Sequence, residues 1–353
     1  MTGDGSAAAG SGCAAGDRLV ANPRFSPAAR AAAGARDAAV ADAFAFHRAL
    51  PGYRATPLVD APGAARALGV ARVLVKDESS RFGLPSFKVL GASWATHRAV
   101  GDRRDVTLAC ATDGNHGRAV AWMARRLGLP AVVFVPADMV APRRAAIAAE
   151  GARVEVVAGT YDEAVERATA LASDDVLVIQ DTAWPGYETV PGWVIDGYAT
   201  IGAEIDLEPD VVAVQIGVGS FAAAMVRRFA GARIIGVEPA TAACALASIE
   251  AGAPVDVPGP HPSVMAGLNC GRVSPVAWPV VAGGIEAFAA IDDRWAFEAV
   301  RLLAADGVVA GESGAAGLAG LLAFRDALDI SAAATVLVVN TEGATGSAET
   351  AAG

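Results

Sequence analysis

Of the 28 Lys and Arg residues in the chain, only Lys76 and Lys88 are lysines. Routine positive charge is therefore carried by Arg, and a lysine kept against that bias points to amine chemistry. A guanidinium stays protonated near neutral pH, whereas a desolvated lysine can become a free amine and attack a carbonyl. Lys88 closes the run Ser79-Ser80-Arg81-Phe82-Gly83-Leu84-Pro85-Ser86-Phe87-Lys88, between an apolar strand over 73–75 and a helix expected over 87–100. An exposed helix lysine has the same appearance in sequence. Three more stretches carry groups that could serve such an amine.

The first is Thr112-Asp113-Gly114-Asn115-His116, between a strand over 106–109 and a helix over 117–127. Its backbone N–H groups, around Thr112 and Gly114 and at the helix start, would hold a substrate carboxylate. Asn115 could donate to a phenolate oxygen. Asp113 sits awkwardly in an anion-binding loop unless it meets a cation or moves a proton. His116 reads as a hydrogen-bonded structural residue at the substrate's edge, and Asp-Gly-Asn is also ordinary turn composition.

The second stretch is Gln215-Ile216-Gly217-Val218-Gly219-Ser220-Phe221-Ala222. Gly217, Val218, Gly219 and Ser220 form a strand-to-helix loop whose N–H groups would cradle a phosphate. No Lys-Ser/Thr pair follows, so it is not a nucleotide P-loop. It does match G-x-G-x-x-A, with Glu238 at the end of the next strand, so a dinucleotide fold is a rival reading. The third pairs two strand ends: Asp181, a second candidate acid, and Thr341, whose hydroxyl could bond a heterocycle nitrogen. Each also reads as a cap or turn. A Schiff-base lysine, a phosphate loop, a phenolate donor and a ring-nitrogen hydroxyl are together the attachment points of pyridoxal 5′-phosphate (PLP). A nicotinamide cofactor would use only the glycine loop.

The elements that must position these residues alternate helix and strand from about residue 27 onward. The strands are short continuous apolar runs, as in parallel sheets covered on both faces. An α/β protein with mainly parallel sheets follows, and 353 residues suit two domains. The net charge of −10 and the lack of a basic cluster argue against nucleic acid and anionic membrane surfaces. No apolar run reaches about 20 residues, so no membrane span is expected. Residues 1–16 read as a disordered Gly/Ala/Ser leader without a signal-peptide pattern, which places the protein in the cytoplasm. Cys13, Cys110, Cys244 and Cys270 lack C-x-x-C spacing, so no metal site is expected, though Cys244 and Cys270 bracket a loop and could bridge.

Lys76-Asp77-Glu78-Ser79, Arg81-Phe82-Gly83-Leu84, Ala111 through Arg118, Gln180 through Trp184, Ala266-Gly267-Leu268-Asn269-Cys270-Gly271 and Thr341-Glu342-Gly343 resemble diaminopropionate ammonia-lyases. These are PLP enzymes of the tryptophan synthase β-like fold, fold type II. The resemblance implies two three-layer α/β domains, a large one over 17–88 and 184–353 and a small one over 89–183, and a homodimer. It implies covalent PLP at Lys88, Asn115 near the cofactor's 3′ oxygen, phosphate on Gly217 to Ser220, and Thr341 at the pyridine nitrogen. Asp113 and Asp181 match the family's two acids on opposite faces of an amino-acid substrate. Serine and threonine dehydratases usually carry a small hydroxyl residue where this chain has Asp113.

The implied reaction is α,β-elimination of ammonia from 2,3-diaminopropionate, giving pyruvate and ammonia through aminoacrylate. A serine/threonine dehydratase-like or β-replacing PLP enzyme, an NAD-dependent dehydrogenase and a catalytically silent PLP binder are the alternatives. The chain departs from the family pattern at Pro185, where Glu is expected, at Ala344 and Gly346 in place of acids, and at Ser93-Trp94 in place of Ser-Tyr.

Overall fold

Runs such as Val73-Leu74-Val75 and Ala131–Pro136 have no polar face, so they form strands covered by helices on both sides. The computed structural model describes residues 16–34, 37–112 and 114–344. The expected leader therefore lies outside the described residues except for Gly16, and Cys13 and Asp113 also lie outside them.

In chain order the strands are β1 (Arg18–Ala21), β2 (Leu58–Asp60), β3 (Arg72–Asp77), β4 (Thr107–Ala111), β5 (Ala131–Pro136) and β6 (Arg153–Val157). They continue with β7 (Val176–Val178), β8 (Val211–Gln215), β9 (Arg233–Pro239), β10 (Ala287–Ile291) and β11 (Thr335–Asn340). Among the described residues they build a seven-stranded sheet, β1-β10-β9-β8-β11-β3-β2, and a four-stranded sheet, β6-β5-β4-β7. The smaller sheet is parallel throughout, and the larger one is parallel except for its two edge strands. An α/β architecture with mainly parallel sheets is what the apolar runs predict.

The helix Lys88–Val100 leaves β3 and crosses the helix Thr189–Ala203 at two glycines. A Cβ on Gly91 would lie 2.5 Å from the Tyr198 ring, and one on Gly197 would lie 2.6 Å from Leu90 O. This contact seats Tyr198 and Phe87 against each other, with ring centroids 4.6 Å apart, beside the helix start that carries Lys88. Below that turn lies a buried ionic cluster. Glu204 accepts from Lys76 Nζ at 2.6 Å and from Arg81 at 2.6 and 2.8 Å, while Arg81 also pairs with Glu78. Lys76, the other lysine, is thus fully buried structure rather than reactive amine.

The structure adds elements that the sequence pattern does not predict: β1, β10, the helix Pro62–Leu68 and the helix Trp278–Gly284. The helix Glu312–Ala323 ends at its C-cap Phe324, at φ −124° and ψ 23°, which separates it from a short turn of helix, Arg325–Leu328. No helix of the described residues is long and apolar enough to cross a membrane.

Candidate active site

Lys88 is the first residue of its helix, where the positive end of the macrodipole disfavours an ammonium. Its compensation comes from the other sheet. Asp181, three residues beyond the end of β7, puts Oδ2 2.8 Å from Lys88 Nζ. Burial works against the ammonium, but the Asp181 carboxylate outweighs it and holds Lys88 above the ordinary lysine range. Burial likewise opposes the Asp181 charge, yet His116 and Lys88 hold that carboxyl below the usual carboxylate range. The pair is therefore an ion pair near neutral pH. His116 Nε2 lies 2.8 Å from Ile179 O, so that nitrogen carries the hydrogen, and Nδ1 faces Asp181 Oδ2 at 3.7 Å.

A cleft of about 370 Å³ opens over this pair, within the usual range for small-ligand sites. Its walls bring together Lys88, Thr112, Gly114, Asn115, His116, Asp181, the loop Gly217–Ser220 and Thr341. Every expected site residue that lies within the described residues therefore lines one cavity. The exception is Asp113, which lies outside them. Thr112 Oγ1 accepts from Gly114 N at 2.9 Å and Gly117 N at 3.0 Å. That hydroxyl oxygen shapes the loop, and the N–H groups of Asn115 and His116, in the helix's first turn, have no intrahelical acceptor.

The glycine loop ends in Gly219, at φ +93°, a left-handed conformation that glycine adopts without a Cβ penalty. The helix Ser220–Arg228 starts there, so its first N–H groups point at the cleft. Ser220 Oγ donates to Asp181 O at 3.2 Å, tying the acid to this loop. Glu238, the acid that a dinucleotide reading would place on a ribose, is fully buried and caps the helix Cys244–Ala251. It accepts from Ala245 N at 2.7 Å and Leu246 N at 2.8 Å, which removes it from any ligand. Cys244 and Cys270, expected as a possible bridge, are not joined by a disulfide, and Cys244 Sγ instead donates to Gly217 O at 3.7 Å.

Some site residues were not singled out from sequence. Glu342 is 8% exposed, lines the cleft and accepts from Asn115 Nδ2 at 2.8 Å. Burial holds its carboxyl above the usual range against the pull of Ser313, Arg143 and Asn115. Gln215 donates to Thr341 Oγ1 at 2.9 Å, and Tyr161 and Tyr198 also border the cleft. The Thr341-Glu342-Gly343 run was the available pointer to Glu342. Of the departures, Ala344 lines the cleft, Pro185 faces a separate apolar groove, Trp94 is buried near Phe46 and Arg98, and Gly346 lies outside the described residues.

These groups fit PLP. Lys88 can hold its aldehyde carbon and the Gly217–Ser220 loop its phosphate, and Thr341 has its oxygen engaged by a donor and its proton to give. The fold and the site together define a PLP-dependent enzyme of fold type II. A family model, "Pyridoxal-phosphate dependent enzyme", matches residues 49–342. Diaminopropionate ammonia-lyase of Salmonella typhimurium is 35% identical over 326 residues, 77% of this chain and 80% of that protein. The crystal structure of the Escherichia coli diaminopropionate ammonia lyase in complex with an aminoacrylate-PLP azomethine reaction intermediate superposes with a TM-score of 0.85. It is 32% identical and the match covers 95% of each chain. Processed threonine deaminase isoform 2 of Solanum lycopersicum, 23% identical with a TM-score of 0.79, shares the fold. Within the pyridoxal-phosphate dependent enzymes, the chain belongs to the diaminopropionate ammonia-lyase family.

Proposed function

We propose that the protein catalyses PLP-dependent α,β-elimination of ammonia from 2,3-diaminopropionate or a close β-substituted amino acid. In sum one 2,3-diaminopropionate and one water give pyruvate and two ammonia molecules: the α proton and β-amino group leave in the elimination, and the α-amino nitrogen leaves when the resulting aminoacrylate is hydrolysed. The observation that carries this reading is the 2.8 Å pair of Lys88 Nζ and Asp181 Oδ2 at the floor of the cleft. When bound, PLP would supply the electron sink for a carbanion at Cα.

The chain's own residues supply the rest. Lys88 Nζ would hold the cofactor's aldehyde carbon and give up that position to the substrate amine. Asp181 Oδ2 takes or returns a proton at Cα, and Asp113 is assigned the same task from the opposite side, as its family match implies. The N–H groups of Asn115 and His116 would bind the substrate carboxylate, and the Asn115 side chain would donate to the cofactor's 3′ oxygen, as the family resemblance implies. A β-ammonium group is cationic, and the carboxyls of Asp181 and Glu342 in one cleft suit a cation better than they suit serine or threonine.

For the chain as a whole, we propose a large domain over 17–88 and 184–353, a small domain over 89–183, and a cytoplasmic homodimer. Light scattering of the purified protein measures the last. The activity test is pyruvate release across D and L isomers of 2,3-diaminopropionate, serine and threonine. Diaminopropionate is expected to lead. Faster 2-oxobutyrate release from threonine would refute the substrate assignment, and a Lys88→Ala variant that keeps the visible absorbance of bound PLP would refute the anchor.

A further inference from the structure

Tyr198, in the helix Thr189–Ala203, is 1% exposed and borders the cleft beside Lys88. Its ring is pinned. It lies so close to Gly91 that a Cβ there would sit 2.5 Å from Tyr198 Cε1 and 2.8 Å from Cζ, and Phe87 packs against it with centroids 4.6 Å apart. The hydroxyl at the end of this fixed ring is buried and makes no hydrogen bond. A buried phenol without a partner costs free energy, and a movable partner stands beside it. Lys88 Nζ lies 6.0 Å from the Tyr198 ring centroid and 2.8 Å from Asp181 Oδ2. The flexible lysine stem lets the amine swing from the acid toward the hydroxyl.

The two neighbours suit different forms of the amine. An ionised carboxylate only accepts, so Asp181 favours the ammonium, which has no lone pair with which to attack. A phenol also donates, so Tyr198 can bond the lone pair of an uncharged amine. Burial pushes the phenol up against the pull of Lys88, so it keeps that proton through the neutral range. Displacement of Lys88 by a substrate amine produces the uncharged form. One C–N bond forms as the other breaks, one proton passes from the substrate nitrogen to Nζ, and the lysine leaves as a neutral amine. We propose that Tyr198 receives the displaced Lys88, its hydroxyl donating to the Nζ lone pair, so that the amine is held uncharged for its return while the Asp181 carboxylate is free to take the Cα proton. The inference rests on the reading that Lys88 carries PLP in this cleft.

The test is displacement of Lys88 in the holoenzyme by alanine, which has no β leaving group and so stops at that step, followed by visible absorbance. Tyr198→Phe keeps the ring and its packing and loses only the hydroxyl. The variant is expected to load PLP like wild type and to need about 2–10-fold more alanine for half displacement, the usual net effect of one hydrogen bond. Hydroxylamine, which strips PLP from a lysine whatever the enzyme's specificity, gives the same reading as a rate and keeps the test decisive if alanine does not bind; the variant is expected to be stripped several-fold more slowly. A purely structural Tyr198 would lower the unfolding temperature and leave both readings at wild-type values, and that result overturns the proposal. Borohydride reduction with peptide mass mapping separates the two layers. If no cofactor is found on Lys88, the reading of the cleft fails; if it is found there in both proteins and both readings are equal, the role of Tyr198 alone is wrong.

Discussion

Replacing Asp181 with Asn tests the pairing on which the site depends, because it predicts opposite effects on catalysis and on cofactor capture. Unit charges 2.8 Å apart attract by about 6 kcal/mol at an effective dielectric constant of about 20. Burial and the helix end both favour the neutral amine, so loss of the carboxylate hands the balance to them. Even half of that attraction, about 3 kcal/mol, lowers the pH midpoint at which Lys88 becomes nucleophilic by about two pH units. Loading of PLP onto apoprotein, followed by visible absorbance from pH 6 to 10, is therefore expected to shift to lower pH in Asp181→Asn. Turnover is expected to fall by about 10²–10⁴-fold, the usual contribution of a positioned acid-base group. Pyruvate release coupled to lactate dehydrogenase measures it. A variant with an unmoved loading midpoint and turnover within a few-fold of wild type would refute the assignment.

Two further expectations concern stability. Glu204→Gln removes the carboxylate shared by the fully buried Lys76 and Arg81, which is expected to cost about 3–5 kcal/mol. For a chain of 353 residues that corresponds to a melting point lower by about 5 °C, read by differential scanning calorimetry. Burial pushes the Glu238 carboxyl up to about 7 from an ordinary 4.5. Between those values the folded state holds a proton that the unfolded state releases, so this contribution is present below about 4.5 and is lost as pH rises to about 7. Glu238→Gln is expected to flatten that part of the pH dependence of the urea midpoint; an unchanged slope would count against a protonated Glu238.

What could be read in the sequence follows from how local each feature is. β5 and β11 are legible because a strand covered on both faces needs apolar residues along its length, and the runs 131–136 and 336–339 leave little choice. Lys88 is legible because lysine is rare in this chain, and the glycine loop because a phosphate-sized turn needs residues without side chains. β10 is not legible: Ala287-Phe288-Ala289-Ala290-Ile291 is mostly alanine, which favours helix, and it becomes a strand by lying between β9 and β1. The Trp278–Gly284 helix ends in two glycines, which conceal it despite a proline in its first turn. Glu204 is 128 residues from Lys76 and Asn115 is 227 from Glu342, so no spacing rule connects them.

The lysine and its acid stand on different sheets, and that separation has a physical use. Lys88 follows β3 of the larger sheet, while Asp181 follows β7 of the smaller one. An acid on the lysine's own helix would be limited to the neighbouring turns and would stay with the lysine whatever the cleft held. Asp181 is instead fastened to the far wall: Ser220 Oγ donates to its carbonyl at 3.2 Å, and Ala183 N donates to Ser274 Oγ at 3.2 Å. These two bonds set the acid's position relative to the glycine loop, so the group that would exchange the Cα proton is registered to the group that would hold the phosphate. Because these bonds run to the far wall and not to the lysine's helix, the Asp181 carboxylate would stay registered to the phosphate loop whether Lys88 is attached to the cofactor or released as a free amine. That is the arrangement a base requires.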